Sequence, residues 1–196
     1  MTSVTNQGGW RMVDIVVAAA VAVAFGVVFV AWNGLWLLVA PLFGFLPPAQ
    51  GIMYGVWLLP GVLVGLIVRR PGAALFGGLV SAAVSLLLGT PWSADVLISG
   101  AAQGGGAELA FALFGYRWWS LPIAMLAGAL AGLGAAIHDI VVWYPATGVG
   151  YWVVFSASTI LSGALIAGVG SWLLLRALIA TGVLHEFAAG RDQPEV

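Results

Sequence analysis

The chain has 196 residues, a formal net charge of -1, 62% hydrophobic and only 7% charged residues, and a mean hydropathy of +1.10. Side chains with so little charge cannot cover a soluble globule, so the composition points to an integral membrane protein. Cysteine and lysine are both absent, which excludes disulfides, thiolate metal sites, cysteine nucleophiles and the Walker A route to ATP hydrolysis, while the charge balance gives no reason to expect nucleic acid.

Successive apolar runs of roughly 18 to 25 residues match a hydrocarbon core about 30 Å thick and predict an all-α bundle of about six transmembrane helices in a single domain. The first helix is expected over Arg11 to Trp32; its apolar core is longer than that of a signal peptide, so it is read as retained. Ala18, Ala20, Ala22, Ala24 and Gly26 fall on it in pairs spaced by four, a pattern that lets another helix approach closely, within the chain or on a partner. Residues 33–50, "NGLWLLVAPLFGFLPPAQ", are broken by proline and glycine and are expected to form an outer hydrophobic lid or re-entrant segment. Further helices are expected over Gly51 to Val68, Gly72 to Leu88, Asp95 to Tyr116, Trp118 to His138 and Trp152 to Ile179. Arg11, Arg69, Arg70, Arg117, Arg176 and Arg191 then all lie at or near one side, the cytoplasm, with both termini. A seventh span through 33–50 would place the Arg69/Arg70 pair outside.

The outer face, without a basic residue, gathers Trp32, Trp36, Trp92, Trp143, Tyr144 and Tyr151 with Asp95 and Asp139. Such rings form an interfacial belt, or, under a prolyl cap, a pocket that stacks on a flat or cationic ligand. With no arginine or lysine there, it is poorly suited to a phosphate.

In "GAAQGGGAELAFALFGYRWW", Glu108 stands deep in a membrane helix, where a lone carboxylate costs at least a few kcal/mol. It pairs with Arg117 or Arg176, or is protonated, or relays protons, or reads a ligand, with Gly104 and Gly105 one turn above making room. Gln103 lies about 140° away on a regular helix and shares a pocket with Glu108 only if the helix bends. His138 next to Asp139 is a weak metal site and either lines the outer pocket or sits at the interface. Gly128, Gly132 and Gly134 in "GALAGLG" read as helix packing. Ser156, Thr159 and Ser162 form a polar stripe with no base to make a serine nucleophile.

The alanine spacing, the helix count, the aromatic segment after the first helix and "QGGGAELAFALFGYRWW" together resemble the substrate-binding S components of energy-coupling factor (ECF) transporters, those of the YkoE type in particular. The resemblance spans nearly the whole chain. It implies a non-enzymatic vitamin-binding subunit that captures thiamin or its hydroxymethylpyrimidine precursor outside and reorients in the membrane. Energy would come from a separate transmembrane coupling protein (T component) and two ABC ATPase domains, with no cofactor of its own. It carries the docking face over to Ala18, Ala20, Ala22 and Ala24, and the aminopyrimidine-reading glutamate over to Glu108. The rings that hold the thiazolium are sought among Trp36, Tyr54, Trp57, Trp92, Trp143 and Tyr151. Gln103, Asn33 and His138 complete the candidate ligand-binding set. Two other readings stand beside it: a proton-coupled secondary transporter of a small organic cation, and a non-transporting packing subunit of a membrane complex.

Overall fold

A computed structural model of the chain describes residues 9–184 and 187–191; Arg191 is placed in the backbone only, and Gln193 lies outside. The described residues form six long helices: α1 (Met12–Val39), α2 (Gly55–Val68), α3 (Ala73–Leu87), α4 (Asp95–Leu113), α5 (Leu121–Val142) and α6 (Val149–Ala180), with one short helical turn at Ala188–Arg191. Helices α1, α4, α5 and α6, and α2 together with the 3-10 turns of Pro47–Tyr54 that lead into it, are long and apolar enough to cross a membrane. At 15 residues, α3 spans only about 22 Å. The fold is an all-α multi-pass membrane bundle.

α2 is its axis. Leu58 to Val68 are buried without interruption, because α1, α3, α4, α5 and α6 all pack around it. The surrounding helices approach through glycine. A Cβ on Gly128 would stand 2.0 Å from the Gly163 carbonyl of α6, and one on Gly134 2.3 Å from the Ala102 carbonyl of α4. In a membrane, where apolar surface alone does not drive helices together, such backbone contact supplies the dispersion energy. Gly104 belongs to the same class: it faces Ala74 and Leu75 of α3 at backbone distance, so its missing side chain makes room for a helix rather than a ligand. Gly105 beside it looks onto open space.

The first helix runs seven residues past its expected end at Trp32, to Val39. A glycine such as Gly34 costs about 1 kcal/mol inside a helix, less than the several kcal/mol of exposing unpaired peptide groups to lipid. Pro41 is what stops it, within the 3-10 turn Ala40–Phe43. The outer segment is therefore shorter than residues 33–50. Its return limb, Pro47–Tyr54, packs on α6: Gly51 sits against Ser158 and Thr159, the Gly55 N–H donates to Ser162 Oγ at 2.9 Å, and that hydroxyl donates to the Ile52 carbonyl. Of the polar stripe on α6, Ser162 thus clips the segment, whereas the Thr159 hydroxyl donates back to the Ser156 carbonyl. α6 is not regular throughout, since Gly163–Val169 widens into a π-helix.

α4 ends at Leu113, because Gly115 and Tyr116 adopt left-handed backbone conformations, with φ of 58° and 55°. α5 begins after Ser120 with Pro122 in its first turn and continues to Val142, which puts His138 and Asp139 on a helix near its end instead of at a loop.

Arg11, Arg69, Arg70 and Arg117 gather at one pole. Arg11 bridges to Asp14 at 2.8 Å, Trp10 Nε1 donates to the Pro71 carbonyl at 3.0 Å, and the Arg69 guanidinium lies 5.4 Å over the Trp119 ring. The bonds to Arg11 explain how Asp14 is buried to 1% exposure.

Candidate functional site

The opposite pole holds a cavity of about 160 Å³. The ends of five helices meet there: Asn33 and Trp36 from α1, Tyr54 and Trp57 from the entry to α2, Ser81 and Ser85 from α3, Asp95, Ser99 and Gln103 from α4, and Asp139 from α5. Thr90 and Trp92 before α4, and Trp143 and Tyr144 after α5, close the rim. The half-turns between helices place the aromatic residues here, since Trp and Tyr favour the zone where one end is wet and the other apolar.

The rings form a continuous box. Trp57 stands 5.1 Å from Trp36, 5.2 Å from Tyr54 and 5.5 Å from Trp92, centroid to centroid, and Tyr54 meets Trp36 edge-on at 5.4 Å. Hydrogen bonds fix their orientation. The Trp57 indole donates to Asn33 Oδ1 at 3.0 Å while the Asn33 amide reaches Thr90 Oγ1 at 3.4 Å. Gln50 donates to the Trp36 carbonyl at 2.9 Å, and Trp32 to the Met53 carbonyl at 3.1 Å, tying the outer segment to α1.

The charge of the wall is carried by two carboxylates. Asp95 accepts from the Trp143 indole at 2.9 Å and faces His138 Nε2 at 3.2 Å. Asp139 accepts from the Tyr54 hydroxyl, and its other oxygen lies 2.7 Å from His138 Nδ1. His138 and Asp139 are 7% and 6% exposed. Burial, with Tyr151 and Asp139 nearby, pushes the Tyr144 hydroxyl well above its usual range, so this rim residue is neutral. None of the lining residues is basic. Among the described residues no group of three or more histidines, aspartates and glutamates is arranged to hold a metal ion.

Seven of the sequence candidates line this cavity: Gln103, Asn33, Trp36, Tyr54, Trp57, Trp92 and Trp143. His138 stands behind the wall between the two aspartates. Tyr151 also lies behind it, 5.0 Å from Tyr144 and stacked on Phe155 at 6.1 Å. Glu108 is elsewhere, which corrects its expected role as ligand acceptor. Thirteen residues into α4, about 20 Å below Asp95, its carboxylate caps the start of α3. It accepts from the backbone N–H groups of Gly72 at 2.6 Å, Ala74 at 2.9 Å and Leu75 at 3.3 Å, and from the Tyr116 hydroxyl at 2.6 Å. An anion is favourable at that helix end. Burial, and then the bond to Glu108, push the Tyr116 hydroxyl up to about 12. Gln103 and Glu108 do not share a pocket: Gln103 lines the cavity and donates to Ser99 Oγ at 2.7 Å.

Sequence reasoning grouped Asp95, Asp139 and Tyr144 with the outer rings without assigning them to the site, and passed over Ser81, Ser85 and Thr90. The signal for the aspartates was available: they are acidic residues near helix ends on the pole that lacks arginine.

The alanine face divides in two. Ala18 and Ala22 are 1% and 0% exposed and pack inside the bundle, where α1 meets α3 and α2, with Gly26 pressed against Val84; as docking residues they are corrected. Ala20 and Ala24 are exposed, beside Val16, Val23 and Val27.

Residues 13–134 match a family described as the permease component of an ABC-type cobalt transport system. The chain is 34% identical over 184 residues, 93% of its own length and 92% of the other's, to YkoE of Bacillus subtilis (strain 168), whose name proposes for it the role of HMP/thiamine permease. It also superposes with a TM-score of 0.88, at 34% identity and over 94% of this chain and 93% of the other, on the crystal structure of an S component of an ECF transporter.

Proposed function

Because this chain belongs to the YkoE-type S components of ECF transporters, we propose that it captures thiamin, or the hydroxymethylpyrimidine half of it, in the cavity at the arginine-free pole and hands it to a transport complex. The observation that carries this reading is the composition of the wall: four rings joined through Trp57, two carboxylates, two primary amides and no basic side chain. An aminopyrimidine is flat and donates from its amino group, which carboxylates and amide oxygens accept. A thiazolium is a permanent cation, attracted by the faces of Trp and Tyr and by the aspartates. The volume of about 160 Å³ is comparable to the roughly 150 Å³ of a cavity that takes one benzene ring, so one ring of the ligand enters the box.

S components are substrate-binding subunits rather than enzymes, and a chain without lysine has no Walker A motif. Energy is therefore to be supplied by partners, a T component and two ABC ATPase domains, with the exposed strip at Ala20 and Ala24 as the docking face. The arginine pole and both termini are assigned to the cytoplasm of a prokaryotic cell. Calorimetric titration of the purified chain with thiamin, hydroxymethylpyrimidine and an anionic vitamin tests the reading. Saturable one-to-one binding of either of the first two is expected; binding of the anion alone would refute it.

A further inference from the structure

Among the described residues His138 is the basic side chain beside the cavity, and both of its ring nitrogens face carboxylate oxygens: Nδ1 lies 2.7 Å from Asp139 and Nε2 3.2 Å from Asp95. Neutral imidazole carries one N–H, so it satisfies one such contact and sets a lone pair against the other oxygen. Imidazolium donates to both. The geometry is that of a cation held between two anions, and the group leaves the wall with one net negative charge. Both carboxylates line the cavity, whereas His138 lies behind them.

The other titratable groups around His138 do not alter this count. α4 contributes Asp95 and α5 Asp139; the entry to α2 contributes Tyr54, whose hydroxyl donates to Asp139; Tyr144 and Tyr151 stand beyond Asp139 on the rim and on α6. Arg69 and Arg70 follow α2 and Arg117 follows α4, so all three lie at the far pole.

We infer that His138 is a positioning residue that holds Asp95 and Asp139 in place as an imidazolium, and that an organic cation entering the cavity takes over these carboxylates and expels the His138 proton to water. This rests on the reading of the cavity as a site for a thiamin-like cation. No bond other than N–H is broken: the ligand brings one positive charge in, one proton leaves, and the site with its ligand keeps the net charge that the empty wall had. The linkage has a fixed sign. A ligand whose binding releases protons binds more tightly as pH rises through the titration of the group that releases them, because protons compete with it.

Thiamin is the cationic probe and hydroxymethylpyrimidine, which shares the aminopyrimidine but lacks the thiazolium, the neutral one. Titrations run between about pH 6 and 8, where an imidazole titrates, in buffers of different ionisation enthalpy. Thiamin is expected to bind about tenfold more tightly at the upper end and to release up to one proton, hydroxymethylpyrimidine to show neither effect. In His138→Gln the thiamin profile should become flat and the release vanish, while binding at the lower pH persists. Should that variant fail to fold, Asp95→Asn, which leaves the imidazolium one carboxylate, should release less. Thiamin binding without proton release, or release unchanged in the variants, overturns the role of His138. No thiamin binding at any pH removes the cation reading itself, a result of a different kind.

Discussion

The backbone N–H of Gly72 donates to Glu108 Oε1 at 2.6 Å, fastening the beginning of α3 to the middle of α4 at the arginine pole. Gly72 can point its N–H there because it adopts φ of 85°, a conformation nearly free for glycine alone. Glu108→Gln exchanges one acceptor oxygen for an amide donor and sets it against donors. A loss of about 1–3 kcal/mol of stability is expected, or roughly 2–4 °C of melting temperature per kcal/mol. Thiamin affinity should stay within about twofold, since Glu108 does not line the cavity but stands about 8 Å further along α4 than its lining residue Gln103. A melting curve and a titration on the same sample decide it; affinity lost at unchanged stability would return Glu108 to the site.

The Tyr116 hydroxyl, raised to about 12 by burial and by Glu108, gives the same latch an alkaline limit. Its folded-state value exceeds the unfolded value of about 10, so the contribution is complete below that and fades as pH rises through 12. Unfolding measured from pH 9 upward should show this loss in the native chain and less of it in Tyr116→Phe.

Trp57 touches three other rings of the box and donates to Asn33. Trp57→Ala removes a stacking face and frees Asn33, which should weaken thiamin binding by about 2 kcal/mol, roughly thirtyfold. Tyr151→Phe, behind the wall, should change it by less than about threefold. Equal effects would mean that the ligand lies outside the box.

Ala22→Trp should prevent folding or lower the melting temperature steeply, as its Cβ is wholly enclosed. Ala20→Trp and Ala24→Trp should fold and bind ligand normally, yet fail to support uptake in cells carrying the coupling proteins. Normal uptake in both would move the docking face elsewhere.

Because the chain contains no cysteine, single cysteines report topology without background. One at Thr147 should react with a membrane-impermeant thiol reagent added outside, and one at Pro71 only after the membrane is opened. External labelling at Pro71 would invert the assignment.

Composition and the length of the apolar runs determined that this is a helical membrane bundle, because the cost of exposing peptide groups to lipid leaves few alternatives. Arginine placement and the rings around it separated a charged pole from an aromatic one, and most of the cavity wall was legible as that aromatic pole. Glu108 was not, since a buried carboxylate announces only that it must be paired. Its partners are the Tyr116 hydroxyl and the backbone N–H groups of Gly72, Ala74 and Leu75, and no side-chain pattern encodes where a neighbouring helix begins. Ala18 and Ala20 likewise look alike as letters; the packing of α1 on α3 made one core and left the other exposed. The bridge of His138 between Asp95 and Asp139 needed the same step, because residues 43 positions apart meet only when α4 and α5 dock through Gly106 and Gly134.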